Sequence, residues 1–314
     1  MNHISNDLQG CSAVPGMSGR VMVMGQKQGV LGPALVHCLM ASGCELLPEP
    51  ALQADWNVST WCRELERLKP DLVVNTLSYP HIHLAEHNPN TAFYWNKEVP
   101  CALARALRTL GLGLVSFSSD CVFDGRQQVP YRIDDRPNPS SVCGRSFLAG
   151  ERGLQDSGLE SLLIVRSSWL FGPYGANFVD WVLEQGQKSQ CLEIVHDQIG
   201  SPTYSMDLAA YVVRLIAGRV TGVHHVCNSG QASWCELAAE TLNACGLQCT
   251  VQAVTSGPAA RPAPEPTFCV LDSRQSLSLA GTKARPWPQA LREYIFTFHP
   301  QQVQAAEEER KTAP

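Results

Sequence analysis

Arg20-Val21-Met22-Val23-Met24-Gly25-Gln26-Lys27-Gln28-Gly29-Val30-Leu31-Gly32 is an apolar run that ends in a glycine-spaced turn. Pro33 to Ser42 then carries apolar residues at Ala34, Leu35, Cys38, Leu39 and Met40, which is helical spacing. A buried strand, a glycine turn and a helix, in that order, form the phosphate-binding corner of a parallel α/β sheet. The glycines permit close backbone approach, and the helix start offers N–H donors and positive potential. Gly25, Gly29 and Gly32 are therefore the expected contacts to a dinucleotide.

The pattern continues outward. Val58 to Leu68 reads as an amphipathic helix, Leu72-Val73-Val74 as a buried strand and Pro100 to Leu110 as another helix. Gly113 to Phe117 and Leu162 to Val165 add two further buried strands. Short continuous apolar strands alternating with helices predict a doubly wound α/β fold with a parallel, Rossmann-like sheet. Beyond Trp169 the pattern loosens into loops rich in Gly, Pro and Asn, broken by helices such as Phe178 to Gln185. The expected organisation is a disordered leader over 1–17, a dinucleotide-binding domain over 18–170, a smaller substrate lobe over 171–300 and a flexible tail over 301–314. Met17 is a second candidate for the true start. Some strands and helices of the lobe should return to the first domain, and Ser256 to Pro266 reads as an exposed loop.

Composition narrows the function. A net charge of −5 gives no electrostatic footprint for nucleic acid. No apolar run approaches the roughly 20 residues of a membrane span, and no secretory leader is visible, so a cytoplasmic protein is expected. The 13 cysteines are scattered without a Cys-x-x-Cys pair, which predicts buried thiols rather than a disulfide framework. His81, His83 and His87 lie close together with Glu86, but not at the spacing of a helical metal pair, so no metal site is expected. Gly-x-Ser-x-Gly is absent.

Two segments point to the chemistry. They are Ser118-Ser119-Asp120-Cys121-Val122-Phe123-Asp124-Gly125 and Ser141-Val142-Cys143-Gly144-Arg145-Ser146-Phe147-Leu148-Ala149-Gly150-Glu151. Arg166-Ser167-Ser168-Trp169, Asn177-Phe178, Asp197-Gln198-Ile199-Gly200-Ser201-Pro202-Thr203, Ser233-Trp234 and Leu271-Asp272-Ser273-Arg274 follow in order. Together, from about Val21 to Phe298, they resemble the dTDP-4-dehydrorhamnose reductases, an extended branch of the short-chain dehydrogenase/reductase superfamily.

That resemblance implies NAD(P)H as cofactor and a sugar nucleotide as ligand. It places Ser119 at the family's catalytic Thr, Cys143 at its Tyr and Phe147 at its Lys. Asn75 and Ser118 fall beside the cofactor, and Asn96 matches an Asn behind the catalytic site. Asp120, Arg166, Trp169, Asn177, Gln198 and Thr203 fall on the substrate side. Glu45, Glu49 or Asp55 could hold a ribose hydroxyl. No Lys or Arg lies between Lys27 and Arg63 to meet a 2′-phosphate, so the local chemistry leans toward NAD, although the family accepts either form. The glycines are spaced G-x-x-x-G-x-x-G, one residue longer than the family's usual turn.

The family's Tyr donates a proton to the substrate carbonyl, and its Lys lowers the Tyr pKa and holds a ribose. Acid–base help of that kind is worth roughly 10²–10⁴ in rate. Three readings follow. The preferred one is a binding or regulatory protein that has lost reductase catalysis and acts with a partner protein or as a homo-oligomer. The family's regulatory subunit of methionine adenosyltransferase is a precedent. The second is an active reductase whose proton comes from Tyr79, Tyr131 or water. The third is chemistry at Cys143 as nucleophile or acid.

Overall fold

A computed structural model describes residues 14, 17–51, 56–257 and 264–305. Chain order begins β1 (Arg20–Met24), α1 (Leu31–Ala41), β2 (Glu45–Leu47), α2 (Val58–Leu68) and β3 (Leu72–Asn75). Then come α3 (Ile82–His87), α4 (Pro89–Phe93), a π-helical turn (Tyr94–Glu98), α5 (Val99–Leu110) and β4 (Gly113–Ser119). A 3-10 turn (Asp120–Val122) leads to α6 (Val142–Gln155) and β5 (Leu162–Ser167). The remainder holds β6 (Leu170–Phe171), α7 (Phe178–Lys188), β7 (Cys191–Val195), β8 (Ile199–Gly200), β9 (Thr203–Tyr204) and α8 (Ser205–Ala217). It closes with β10 (Gly222–His225), β11 (Ala232–Ser233), α9 (Trp234–Cys245), β12 (Thr250–Val254), α10 (Arg274–Leu279) and α11 (Trp287–Phe298).

Six parallel strands form one sheet in the order β10-β5-β4-β3-β1-β2. Strand order reverses between β1 and β3, so a crevice opens at their carboxyl ends, where open α/β sheets take ligands. Helices cover both faces. One apolar layer packs α1, α8 and α11 on one side, through residues such as Leu35, Leu39, Val212 and Ile295. The other packs α2 and α5 through Trp61, Leu65, Leu103 and Leu107. Trp61 stacks on Trp56 with ring centroids 4.0 Å apart. This is the predicted doubly wound fold.

Strand β10 comes from the later part of the chain and joins the main sheet beside β5. The remaining short strands pair locally as β12-β7, β11-β8 and β6-β9. Helix α9 is fixed by a capping box, in which Ser233 and Glu236 each satisfy the other's backbone N–H. Among the leader residues, the Val14 N–H donates to Ser42 Oγ at 3.2 Å, and Val14 and Met17 rest on the core. At the other end, helix runs over residues 300–305, with Val303 against the core. Asp55 and most of the leader, the Pro- and Ala-rich loop and the tail lie outside the described residues. Eleven described cysteines are free thiols, in keeping with the expectation that there is no disulfide framework, and Cys38 is disulfide-bonded. No helix among the described residues is long and apolar enough to cross a membrane.

Candidate active site

The glycine turn sits where β1 feeds α1, at the crevice. Gly25 adopts φ +79°, and a Cβ there would lie 2.5 Å from Thr76 Oγ1. Gly32 has no room either, since a Cβ would stand 1.9 Å from the Gly25 carbonyl oxygen. The residue by which the turn exceeds the usual spacing is absorbed locally. The Gln28 N–H donates to the Gly25 carbonyl at 2.9 Å, and Gly29 turns through φ +59° with nothing within 4 Å of a Cβ. Gly25 and Gly32 let the turn close on itself at the start of α1, and Gly29 is exposed at its tip with Gly175 packed against it, a turn that fits a dinucleotide phosphate at a helix start. Of the two described acids, Glu45 and Glu49, the latter is at the turn, and its Oε1 accepts the Gly25 N–H at 2.6 Å. Glu45 instead pairs with Arg20 on the surface.

Strands β4 and β5 end beside this crevice. Ser119, the last residue of β4, donates its hydroxyl to Asp120 Oδ1 at 2.7 Å, and Ser168 donates to Asp120 Oδ2 at 2.6 Å. Asp120 is buried, and desolvation raises its pKa, opposed by those hydroxyls and by backbone N–H groups. The Ser118 hydroxyl is buried without a hydrogen-bond partner among the described residues, beside a small cavity that Asn75, Asn96 and Phe147 also line. Asn75 itself is buried at the end of β3, its Oδ1 accepting the Leu77 N–H at 3.3 Å.

Helix α6 is held tightly against these strand ends. Ser141 caps it by accepting the Gly144 N–H at 3.1 Å, and Glu86 accepts the Val142 N–H at 2.7 Å. A Cβ on Gly144 would meet the Cys121 carbonyl at 2.1 Å, and one on Gly150 the Asn96 carbonyl at 1.9 Å. Asn96 bridges the Tyr79 backbone and Ser146 Oγ, its amide donating to the latter at 2.8 Å. Cys143 and Phe147 therefore face inward, both buried in an apolar cluster with Cys121, Val122, Phe123 and Tyr131. Cys143 donates to the Tyr79 carbonyl at 3.6 Å and touches the Cys121 thiol, whose pKa is pushed up by that contact and by burial. Arg145 is exposed and donates to the Ser140 carbonyl, so it brings no cation to the cluster.

Several residues expected on the substrate are committed elsewhere. Arg166 is buried and grips Glu151 through two bonds of 2.8 and 2.6 Å. Asn177 caps α7 and ties down the carbonyls of Gly172 and Gly175. Thr203 is fully buried and donates to the Ser201 carbonyl. Trp169 and Gln198 keep together: Trp169 stacks on Trp234 at 3.6 Å, and the Trp234 indole N–H donates to Gln198. Gln198 then donates to Glu265, which pairs with His83. Thus His83 and Glu86, two members of the histidine-rich stretch, serve as a contact of Glu265 and a helix cap. Neither Glu265, in a Pro-rich loop, nor His225, beneath Arg166, carried any sequence signal.

The model of the RmlD substrate binding domain matches residues 19–299. The chain belongs to that family. It is 36% identical over 227 residues to the spore coat polysaccharide biosynthesis protein SpsK of Bacillus subtilis, spanning 72% of this chain and 79% of the relative. A dTDP-4-dehydrorhamnose reductase of Mycolicibacterium smegmatis is 31% identical over 283 residues, spanning 89% of this chain and 86% of the relative. Among solved structures, a dTDP-4-dehydrorhamnose reductase of Clostridium acetobutylicum superposes with a TM-score of 0.84 at 30% identity, covering 89% of this chain and 99% of that one. One from Bacillus anthracis, in complex with NADP, gives 0.83 at 28% identity, covering 90% and 100%.

Proposed function

We propose that the protein is an NAD(P)H-dependent reductase of a keto-sugar nucleotide, of the dTDP-4-dehydrorhamnose type, working without the family's Tyr–Lys pair. The observation that carries this reading is the Ser119–Asp120–Ser168 cluster at the carboxyl ends of β4 and β5, in the same sheet whose β1 feeds the glycine turn. The relatives' names support the substrate class. When bound, the dinucleotide supplies hydride. The chain's part is to hold it at Gly25, Gly29, Gly32 and Glu49 and to deliver a proton to the carbonyl oxygen that Ser119 orients.

Cys143 and Phe147 set the pace. With no phenol or ammonium at those positions, turnover should run about 10²–10⁴ below that of a Tyr–Lys relative. Tyr131 does not substitute, because its hydroxyl donates to Asp124 at 3.0 Å and its ring stacks on Phe123. Tyr79 is half-buried against the same cluster, and its hydroxyl makes no hydrogen bond among the described residues.

A second reading is binding without turnover, as a regulatory or partner-bound protein. The burial of Cys143 and Phe147 in apolar surroundings favours it. Both readings predict saturable NADPH binding. Addition of dTDP-4-dehydrorhamnose separates them: oxidation of the cofactor supports the first, and a stable binary complex that never oxidises supports the second.

A further inference from the structure

We infer that the reacting proton reaches substrate through a relay from the Asp120 carboxyl to the Ser119 hydroxyl, which replaces the absent tyrosine. The inference rests on the reductase reading above. Two carboxyls are buried under the same strand ends, and they are treated differently. Glu151 is matched by the Arg166 guanidinium at 2.6 Å. Asp120 has only hydroxyls and backbone N–H groups, and no cationic side chain pairs with it among the described residues.

A buried carboxyl without a cation favours its neutral form. Four thiols lie around it: Cys121 on its own turn, Cys143 on α6, Cys227 after β10, and Cys269. Burial pushes Cys227 up to about 11 and raises Cys269 as well. Asp124 and Asp272 also face this region, and both are held below the usual carboxylate range by their own partners. No cationic side chain among the described residues pairs with Asp120: Arg166 is matched to Glu151 and Arg274 to Asp272.

With Asp120 neutral, its Oδ1–H donates to Ser119 Oγ along the same 2.7 Å contact, and the Ser119 hydrogen turns to the substrate. The carbonyl carbon takes the hydride that a bound dinucleotide would supply, and its oxygen takes the Ser119 proton. Ser119 recovers a proton from Asp120, which is left ionised and is reprotonated from solvent. Ser119 is the residue that touches substrate; Asp120 acts through it.

The test reads the apo-protein and the turnover separately. Carbon-13 NMR of aspartate carboxyls, titrated without ligand, should show Asp120 protonating at higher pH than an ordinary aspartate. Asp207, buried against Arg285, is also pushed upward, and Asp120→Asn tells the two apart. In the assay, Asp120→Asn should keep its NADPH affinity while kcat falls about 10²-fold or more. Ser119→Ala breaks the relay at its other end and should do the same, which covers an Asp120 variant that fails to fold.

An Asp120 that titrates in the ordinary range overturns the relay. So does an Asp120→Asn enzyme as fast as wild type, or a loss of turnover confined to Tyr79→Phe. A wild type that binds NADPH and never oxidises it removes the reductase reading itself, and the relay with it.

Discussion

Replacing Arg166 with Met distinguishes a structural ion pair from a substrate contact. Arg166 and Glu151 have side chains 5% and 3% exposed, and the guanidinium meets the carboxylate through two parallel bonds. Its remaining nitrogen lies 3.3 Å from His225, and the group sits 5.2 Å over the Phe123 ring. Arg166→Met would leave a carboxylate buried with no counter-ion, a change that costs about 3–5 kcal/mol. For a chain of this size, 1 kcal/mol moves Tm by roughly 2 °C, so a fall on the order of 6–10 °C is expected. Glu151→Leu added to Arg166→Met removes the orphaned charge and should restore most of the loss. Urea unfolding of the two single variants and the double variant measures the coupling. If Arg166→Met costs less than about 1 kcal/mol and instead weakens sugar-nucleotide binding, the guanidinium faces the ligand and the structural account is wrong.

Three further outcomes are expected. His225 is buried beside Arg166, and burial with that neighbouring charge lowers its pKa to about 3, so it folds neutral. The unfolded chain therefore binds a proton that the fold refuses, and stability present above pH 6.5 is lost as pH falls toward 3. Between pH 7 and pH 5 the loss should be on the order of 2 kcal/mol, flattened in His225→Gln, as read by urea midpoints. Gly32→Ala should abolish NADPH binding because its Cβ collides with the Gly25 carbonyl, whereas Gly29→Ala should fold with a penalty of about 1–2 kcal/mol for its left-handed backbone. Cys143→Tyr with Phe147→Lys should raise turnover about 10²-fold or more if those positions alone limit the rate; an unchanged rate would place the limit elsewhere.

The inner strands of the sheet were legible because they are buried and read as apolar runs, as in Leu72-Val73-Val74, whereas the edge strand β10, Gly222-Val223-His224-His225, has no such run. Helix ends were less so. Helix α1 begins at Leu31, ahead of the expected Pro33, because the close fit of Gly32 against Gly25 leaves no mark in hydrophobic spacing. The candidate site was legible as motifs but not as assignments. Arg166, Asn177 and Thr203 lie in segments that resemble pocket elements, yet their partners are Glu151, the Gly172–Gly175 loop and Ser201, contacts that exist only once distant strands pair. Asp120 and Ser168 are 48 residues apart, and only the β4–β5 register brings them together. Glu49 was one acid among three until the glycine turn closed on it.

The most direct measurement is nicotinamide fluorescence during titration of the purified protein with NADPH and NADH, followed by addition of dTDP-4-dehydrorhamnose. Saturable binding and then slow, substrate-dependent oxidation of the cofactor is the predicted result. Saturable binding with no oxidation, under conditions where a Tyr–Lys relative turns over, would contradict it.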